Sequence, residues 1–237
     1  MQFPDDLIQV SLNLLQVAKN GKFAKTFKHY FQNLPFDTLK EQLNTQERKL
    51  AFWINFYNAF VQILLKESPS LYRNPEGFYK KKQIPMAGKK LSLFDIEQYM
   101  IRRTENGLQN RLMSKFFKQL RADKADPFVH FSLNAANASS PVIYYYNPDT
   151  LAEQFQDAGK AFLQSEVSYQ PNNQTVMLPA LLETYRKDFG GKKGLTDLMK
   201  SLGFVPQDVQ KVKLRFKKHD YTIKLNHFCD IIPLEEE

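Results

Sequence analysis

The sequence predicts an α+β protein, a helix-rich single domain around a small, mainly antiparallel sheet. Three observations lead to this prediction. Apolar side chains within residues 45–66 recur at helical spacing. Val212, Leu214 and Phe216 alternate with basic residues, which is the pattern of a strand with one buried face. Only 9 of the 237 residues are glycine, about 4% against the usual ~7%. This low glycine content disfavours a β protein with many tight turns.

Helices are predicted where the apolar period and the terminal residues agree. Thr45 is a suitable N-cap for the longest helix, and Pro69 bars its continuation. Ser92 and Asp95 have the spacing of a capping box, and Pro179 fits the first position of another helix. The predicted helices span residues 5–19, 22–34, 36–43, 45–66, 92–103, 108–121, 149–163, 179–189 and 195–202.

Strands are predicted from short apolar or alternating runs between turn residues. They are residues 78–84 with 89–91, 128–133, 166–170 with 174–178, and 212–217 with 221–225. We expect 128–133, 212–217 and 221–225 to form the centre of the sheet. The alternative fold is a mostly α-helical bundle with hairpins on its rim.

Composition excludes several classes of protein. Lys and Arg number 33 against 25 Asp and Glu, a net charge of +8. Cys229 is the only cysteine, so neither an intrachain disulfide nor a cysteine metal cluster is possible. No apolar run reaches the ~18–20 residues of a membrane span, and residues 1–6 lack the basic start of a signal peptide. We expect a cytoplasmic protein, or a periplasmic or secreted one if a signal peptide preceded residue 1.

Five residues carry the chemistry that the sequence offers. Asn55 and Asn58 lie one turn apart on the longest helix, and Asn58 falls within its apolar stripe, so we expect it to bind loop backbone. His130 and Glu97 are candidates for acid–base chemistry. Ser140 is a candidate nucleophile, although no G-x-S-x-G elbow surrounds it. No motif predicts a metal site or a cofactor.

The basic residues offer a further possibility. Lys213 and Arg215 lie on one face of the predicted strand 212–217, with Lys211 and Lys217 continuing the row. Such a face can meet phosphates of an anionic surface or a nucleic acid, or can protect an exposed sheet edge. No nucleic-acid-binding motif accompanies these residues, which makes nucleic acid the less favoured partner.

Four segments together resemble the domain-of-unknown-function 547 family. They are F-W-I-N-F-Y-N-A at 52–59, L-S-L with I-E and I-R within 91–102, D-P-F-V-H-F-S-L with S-P within 126–141, and D-Y with L-N within 220–226. Leu178, Pro179, Tyr185, Asp188 and Phe189 are also similar to the family's pattern. The resemblance covers residues 45–226, with residues 1–44 as a helical extension packed on this region, all within one domain of residues 1–237.

The departures from the family pattern bear on function. Ala135 and Ser140 stand where the pattern has cysteines, and Gln98 stands where it has a histidine. A family Cys beside a His implies thiol chemistry, which these replacements remove. We therefore expect a catalytically degenerate member, a pseudoenzyme that binds a small molecule or a protein. Asn55, Asn58, Gln98 and Ala135 are its predicted cleft residues.

Two alternatives remain. One is a hydrolase or transferase that uses Glu97, His130 and Ser140. The other is a binder of anionic surfaces or nucleic acid through the basic strand 211–217.

Overall fold

The computed structural model describes residues 2–21, 24–104 and 113–229. Its α-helices are α1 (Leu7–Asn20), α2 (Ala24–Asn33), α3 (Phe36–Gln42), α4 (Gln46–Glu67), α5 (Pro75–Lys80), α6 (Lys115–Leu120), α7 (Leu151–Glu166), α8 (Ala180–Thr184) and α9 (Gly191–Ser201). A π-helix spans Asp95–Ile101, and short 3₁₀ helices include Pro127–Phe131. The strands are β1 (Ile84–Met86), β2 (Lys89–Leu91), β3 (Ser168–Gln170), β4 (Thr175–Leu178) and β5 (Lys213–Phe216). The α+β prediction is confirmed.

Helix α4 forms the centre of the larger of two hydrophobic cores. The Thr45 hydroxyl accepts a hydrogen bond from the Arg48 N–H at 3.2 Å and so caps the helix, as its sequence predicts. Every residue of α4 from Lys49 to Leu65 is buried, because α1 packs along one side and the π-helix along another. A helix buried on all sides presents its polar residues to other backbone rather than to water.

The second core lies around β4, α7 and α9. Strand β4 is the middle strand of a three-stranded sheet, antiparallel to β3 and parallel to β5. Strands β1 and β2 form a separate antiparallel hairpin. Two of the three pairings are antiparallel, which agrees with the predicted sheet, but β5 joins β4 rather than residues 221–225.

Two predicted strands at the sheet centre are wrong. Residues 128–133 contain a 3₁₀ helix instead, because the Asp126 side chain accepts from the Phe128 N–H at 2.9 Å and Pro127 occupies the first position. Val129 and Phe131 are buried, and the 3₁₀ helix packs on α7, whose Gly159 lies against the ring of Phe128. Residues 221–225 form no strand, since Tyr221 is 64% exposed and offers no buried face; Ile223 makes one isolated bridge to Asn137.

Three predicted elements have different extents. Residues 75–80 are helical rather than part of a strand, since Asn74 caps them and Pro75 begins them. The helix expected to reach residue 189 ends at Thr184. The helix expected at 108–121 is observed at Lys115–Leu120. Residues 108–112 of that prediction, and residues 22–23 of the second predicted helix, lie outside the described residues.

Candidate functional site

A cleft of about 450 Å³ opens beside the π-helix. Residues from α4, α5, the π-helix, the loop after residue 133 and the segments near residues 185 and 220 contribute to its wall. Its aromatic lining consists of Tyr57, Tyr72, Phe78, Tyr79, Tyr185 and Tyr221. Glu97, Gln98, Arg102 and Ala135 line it as well. The volume lies within the range of small-molecule sites, which combine apolar walls with a few polar groups.

The π-helix places three polar side chains on the same side. The capping box that precedes it is confirmed: the Ser92 N–H donates to Asp95, and the Asp95 N–H donates to Ser92. A π-helix bonds residues five apart, here the Arg102 N–H to the Glu97 carbonyl at 2.9 Å. Arg102 Nη1 therefore reaches Glu97 Oε1 at 3.4 Å and Gln98 Oε1 at 2.9 Å.

Glu97 makes several hydrogen bonds at the cleft, and it is only 4% exposed. Its Oε1 accepts from the Tyr185 hydroxyl at 3.1 Å and from Gln98 Nε2 at 3.1 Å. Its Oε2 lies 3.5 Å from the Tyr57 hydroxyl. With this many donors, the carboxylate is a satisfied acceptor that orients its neighbours, and it is poorly suited to removing a proton from a substrate.

The surrounding phenols stay protonated. Burial raises the pKa of Tyr57, Tyr79 and Tyr185 above the ordinary value, and the nearby Glu97 carboxylate raises all three further. They therefore act as hydrogen-bond donors with uncharged rings.

A second group of side chains continues the network from Arg102. Arg102 Nη2 and Nε donate to Asp188 Oδ2 at 2.8 and 3.0 Å. The Arg102 guanidinium lies 4.6 Å from the ring centre of Tyr185. His130 Nε2 lies 2.8 Å from the same Asp188 oxygen, and its ring stacks on Tyr185 at 3.8 Å. Arg102, Asp188 and His130 thus form one network of polar contacts that begins at the cleft wall.

His130 is neutral within this network at neutral pH. Burial lowers the pKa of His130 below its ordinary value, and the hydrogen bond to Asp188 only partly offsets this. That bond lowers the pKa of Asp188 to about 2, with further lowering by Arg102. The ionised carboxylate accepts only, so Nε2 carries the ring proton; Nδ1 is buried and has no partner within the described part of the chain.

A known family model, described as "Protein of unknown function, DUF547", matches residues 40–163, which is more than half of the chain. The chain belongs to the DUF547 family. The match includes α4, the π-helix and the loop after residue 133, and it ends before Tyr185 and Asp188, which complete the network. Comparisons with curated proteins and with solved structures gave no match.

Ala135 and Gln98, which the resemblance places at one of the family's two Cys positions and at its His position, line the same cleft. Ala135 is exposed and contributes a methyl group to the wall. Gln98 Nε2 donates to the Tyr79 hydroxyl at 3.0 Å, and its Oε1 accepts from Thr104 at 3.0 Å. Neither side chain can ionise at neutral pH.

Ser140 lies in the loop wall, and its side chain is bonded within the loop. Its hydroxyl donates to Asn137 Oδ1 at 3.0 Å and accepts from the Ala135 N–H at 3.1 Å. A smaller cavity of about 80 Å³ is lined by both Ser140 and His130. His130 is bonded to Asp188, and the contacts of Ser140 hold the loop.

Asn55 and Asn58 lie behind the cleft wall and are fully buried. Asn58 donates to the Ser132 carbonyl at 2.8 Å and accepts from the Asn134 N–H at 2.9 Å. Asn55 makes the same pair of bonds to the backbone of Tyr146, at 2.8 and 3.0 Å. The predicted burial of Asn58 and its bonding to loop backbone are confirmed, and both amides fasten the segment that carries Ala135 and Ser140.

Sequence reasoning missed five residues of the site. They are Tyr57, Tyr79, Arg102, Tyr185 and Asp188. Four of them belong to segments that resemble the family pattern, and that signal could have identified them. Tyr79 gave none, because its stretch was predicted as a strand.

Neither a membrane-spanning helix nor a cluster of metal-binding side chains is found among the described residues. None of the helices in residues 2–21, 24–104 and 113–229 combines the length and apolar character of a membrane span. The same residues bring together no set of three His, Cys, Asp or Glu side chains that could hold a metal ion.

Proposed function

We propose that this DUF547 protein is a non-catalytic member of its family whose tyrosine-lined cleft binds a small organic molecule. One observation carries the proposal: Ala135 and Gln98 both face a cleft of about 450 Å³ at the positions where the family pattern has Cys and His. The cleft is present, whereas the groups that would attack and transfer protons are replaced by a methyl and an amide.

The lining indicates what kind of molecule fits. Tyrosine rings bury flat apolar groups and leave their hydroxyls for hydrogen bonds. Here the hydroxyls of Tyr57 and Tyr185 are directed to Glu97 and their rings are largely covered. The more exposed rings of Tyr72 and Tyr221 therefore remain for a ligand. We infer an aromatic or otherwise apolar small molecule with few polar atoms.

A pair of matched variants tests the proposal. Ala135→Leu places a larger side chain inside the cleft, and Ala138→Leu makes the same change at an exposed position of the same loop outside the lining. Ligand-observed NMR with indole, p-cresol and benzamide is expected to show binding to the original chain and to Ala138→Leu, and loss of binding to Ala135→Leu. Equal signals from both variants, or no signal from the original chain, would contradict the proposal.

A hydrolase or transferase that uses Glu97, His130 and Ser140 is the second candidate. The observation in its favour is the smaller cavity shared by His130 and Ser140, with Asp188 bonded to the histidine. Hydrolysis of p-nitrophenyl acetate by the original chain, abolished in Ser140→Ala, would establish it in place of the binding function.

A further inference from the structure

A cavity of about 290 Å³, separate from the tyrosine cleft, lies between strand β5 and the chain that leads into α9. Arg186, Lys192, Lys213 and Arg215 line it together with Leu214 and Phe216. Four of the six lining residues are therefore cations, and none is an acid. The apolar side chains of Leu214 and Phe216 also pack against the second hydrophobic core, which supports the strand that carries Lys213 and Arg215.

These four cations lack the partners that neighbouring basic residues have. Lys217, at the end of the same strand, pairs with Glu166 at 2.9 Å. Within residues 2–21, 24–104 and 113–229, the side chains of Arg186, Lys192, Lys213 and Arg215 form no ion pair and no hydrogen bond. Like charges gathered around one concave surface repel one another and create a positive potential there, which an anion relieves.

Protection of a sheet edge explains only part of this arrangement. β5 is an edge strand, and basic residues on such a strand discourage pairing with other chains. That accounts for Lys213 and Arg215. It does not account for Arg186, which follows α8, or for Lys192, in the first turn of α9, where the helix dipole disfavours a cation.

We propose that this cavity binds a small ligand bearing a di- or oligophosphate group. Arginine forks match phosphate oxygens with two parallel bonds, and lysines add charge. The cations converge on one cavity from two elements and do not form a long track, which favours a compact polyanion over a nucleic acid. The site is independent of the tyrosine cleft and of the function proposed for it.

Two double variants with the same change in net charge test the site. Arg186→Gln with Lys192→Gln removes two lining cations. Lys187→Gln with Lys193→Gln alters the adjacent exposed residues, which do not line the cavity. Tripolyphosphate is titrated into each full-length protein by calorimetry at fixed ionic strength, because screening changes with salt.

We expect the lining pair to raise the dissociation constant about tenfold or more, since two charge-assisted contacts at exposed positions are lost together. We expect the adjacent pair to change it less than about twofold. Lys213→Gln with Arg215→Gln should repeat the loss, and this pair decides the question if the first one fails to fold by circular dichroism. Absence of tripolyphosphate binding, equal weakening by both pairs, or binding of a single-stranded oligothymidylate without tripolyphosphate would each overturn the proposal.

Discussion

Replacing Asn58 by leucine should destabilise the protein strongly, although both side chains branch at Cγ. Asn58 is fully buried and makes two bonds to the loop backbone, at 2.8 Å to the Ser132 carbonyl and 2.9 Å from the Asn134 N–H. Leucine satisfies neither group, and each stranded buried group costs about 1–3 kcal/mol. The free energy of unfolding should therefore fall by about 2–6 kcal/mol, a large part of the ~5–15 kcal/mol that typical proteins have.

Urea denaturation of the original chain and of Asn58→Leu measures this difference. Asn33→Leu is the control, since Asn33 is exposed at the end of α2, and we expect it to change the free energy by less than about 0.5 kcal/mol. Hydrogen exchange at the Asn134 amide gives a local reading, because the lost bond should speed it in the folded protein. A loss of stability below about 1 kcal/mol in Asn58→Leu would refute the reasoning from stranded partners.

Three further predictions concern the titratable groups and the family positions. Cys229 should react with a thiol reagent no faster than a free thiol, since in the described part of the chain no hydrogen bond joins its sulfur to a base; fast reaction at pH 6 would contradict this. In a Cys229→Ser background, Ala135→Cys with Gln98→His should give a thiol that reacts faster than a free thiol in a pH-dependent manner, and an ordinary rate would mean that this is not a nucleophile position. The pKa of His130 is lowered by burial, so the stability that the neutral ring contributes is complete above its unfolded pKa near 6.5 and is lost as pH falls. His130→Gln should therefore flatten the decline in stability from about pH 7.5 to about pH 5. His219→Gln should flatten it less, because His219 is less buried.

The helical part of the fold was predictable because local signals agreed with tertiary packing. In α4 the apolar period, the Thr45 cap and the barrier at Pro69 all pointed to the same bounds, and the observed helix is Gln46–Glu67. The error at residues 128–133 has a local cause. A short buried apolar run does not distinguish a strand from a helical turn, and the Asp126-Pro127 pair that starts the 3₁₀ helix carried the decisive information.

The candidate site was only partly predictable, because its contacts join distant parts of the chain. Glu97, Gln98 and Ala135 were named from the sequence, and they line the same cleft. The bond between His130 and Asp188 spans 58 residues, and no local pattern reveals such a pair. The π-helix was equally hidden, since its capping box and apolar residues also fit an α-helix, and its wider turn becomes visible only in the hydrogen bonds.

Gln98 fits the cleft wall through a full set of side-chain hydrogen bonds. Its amide donates to Glu97 and Tyr79 and accepts from Arg102 and Thr104. These four bonds use the two donors and two acceptor sites that an amide has. A neutral histidine at this position would offer one donor and one acceptor, so it would leave part of the network unpaired. Because the amide fits this role better than an imidazole would, Gln98 holds the cleft wall in place.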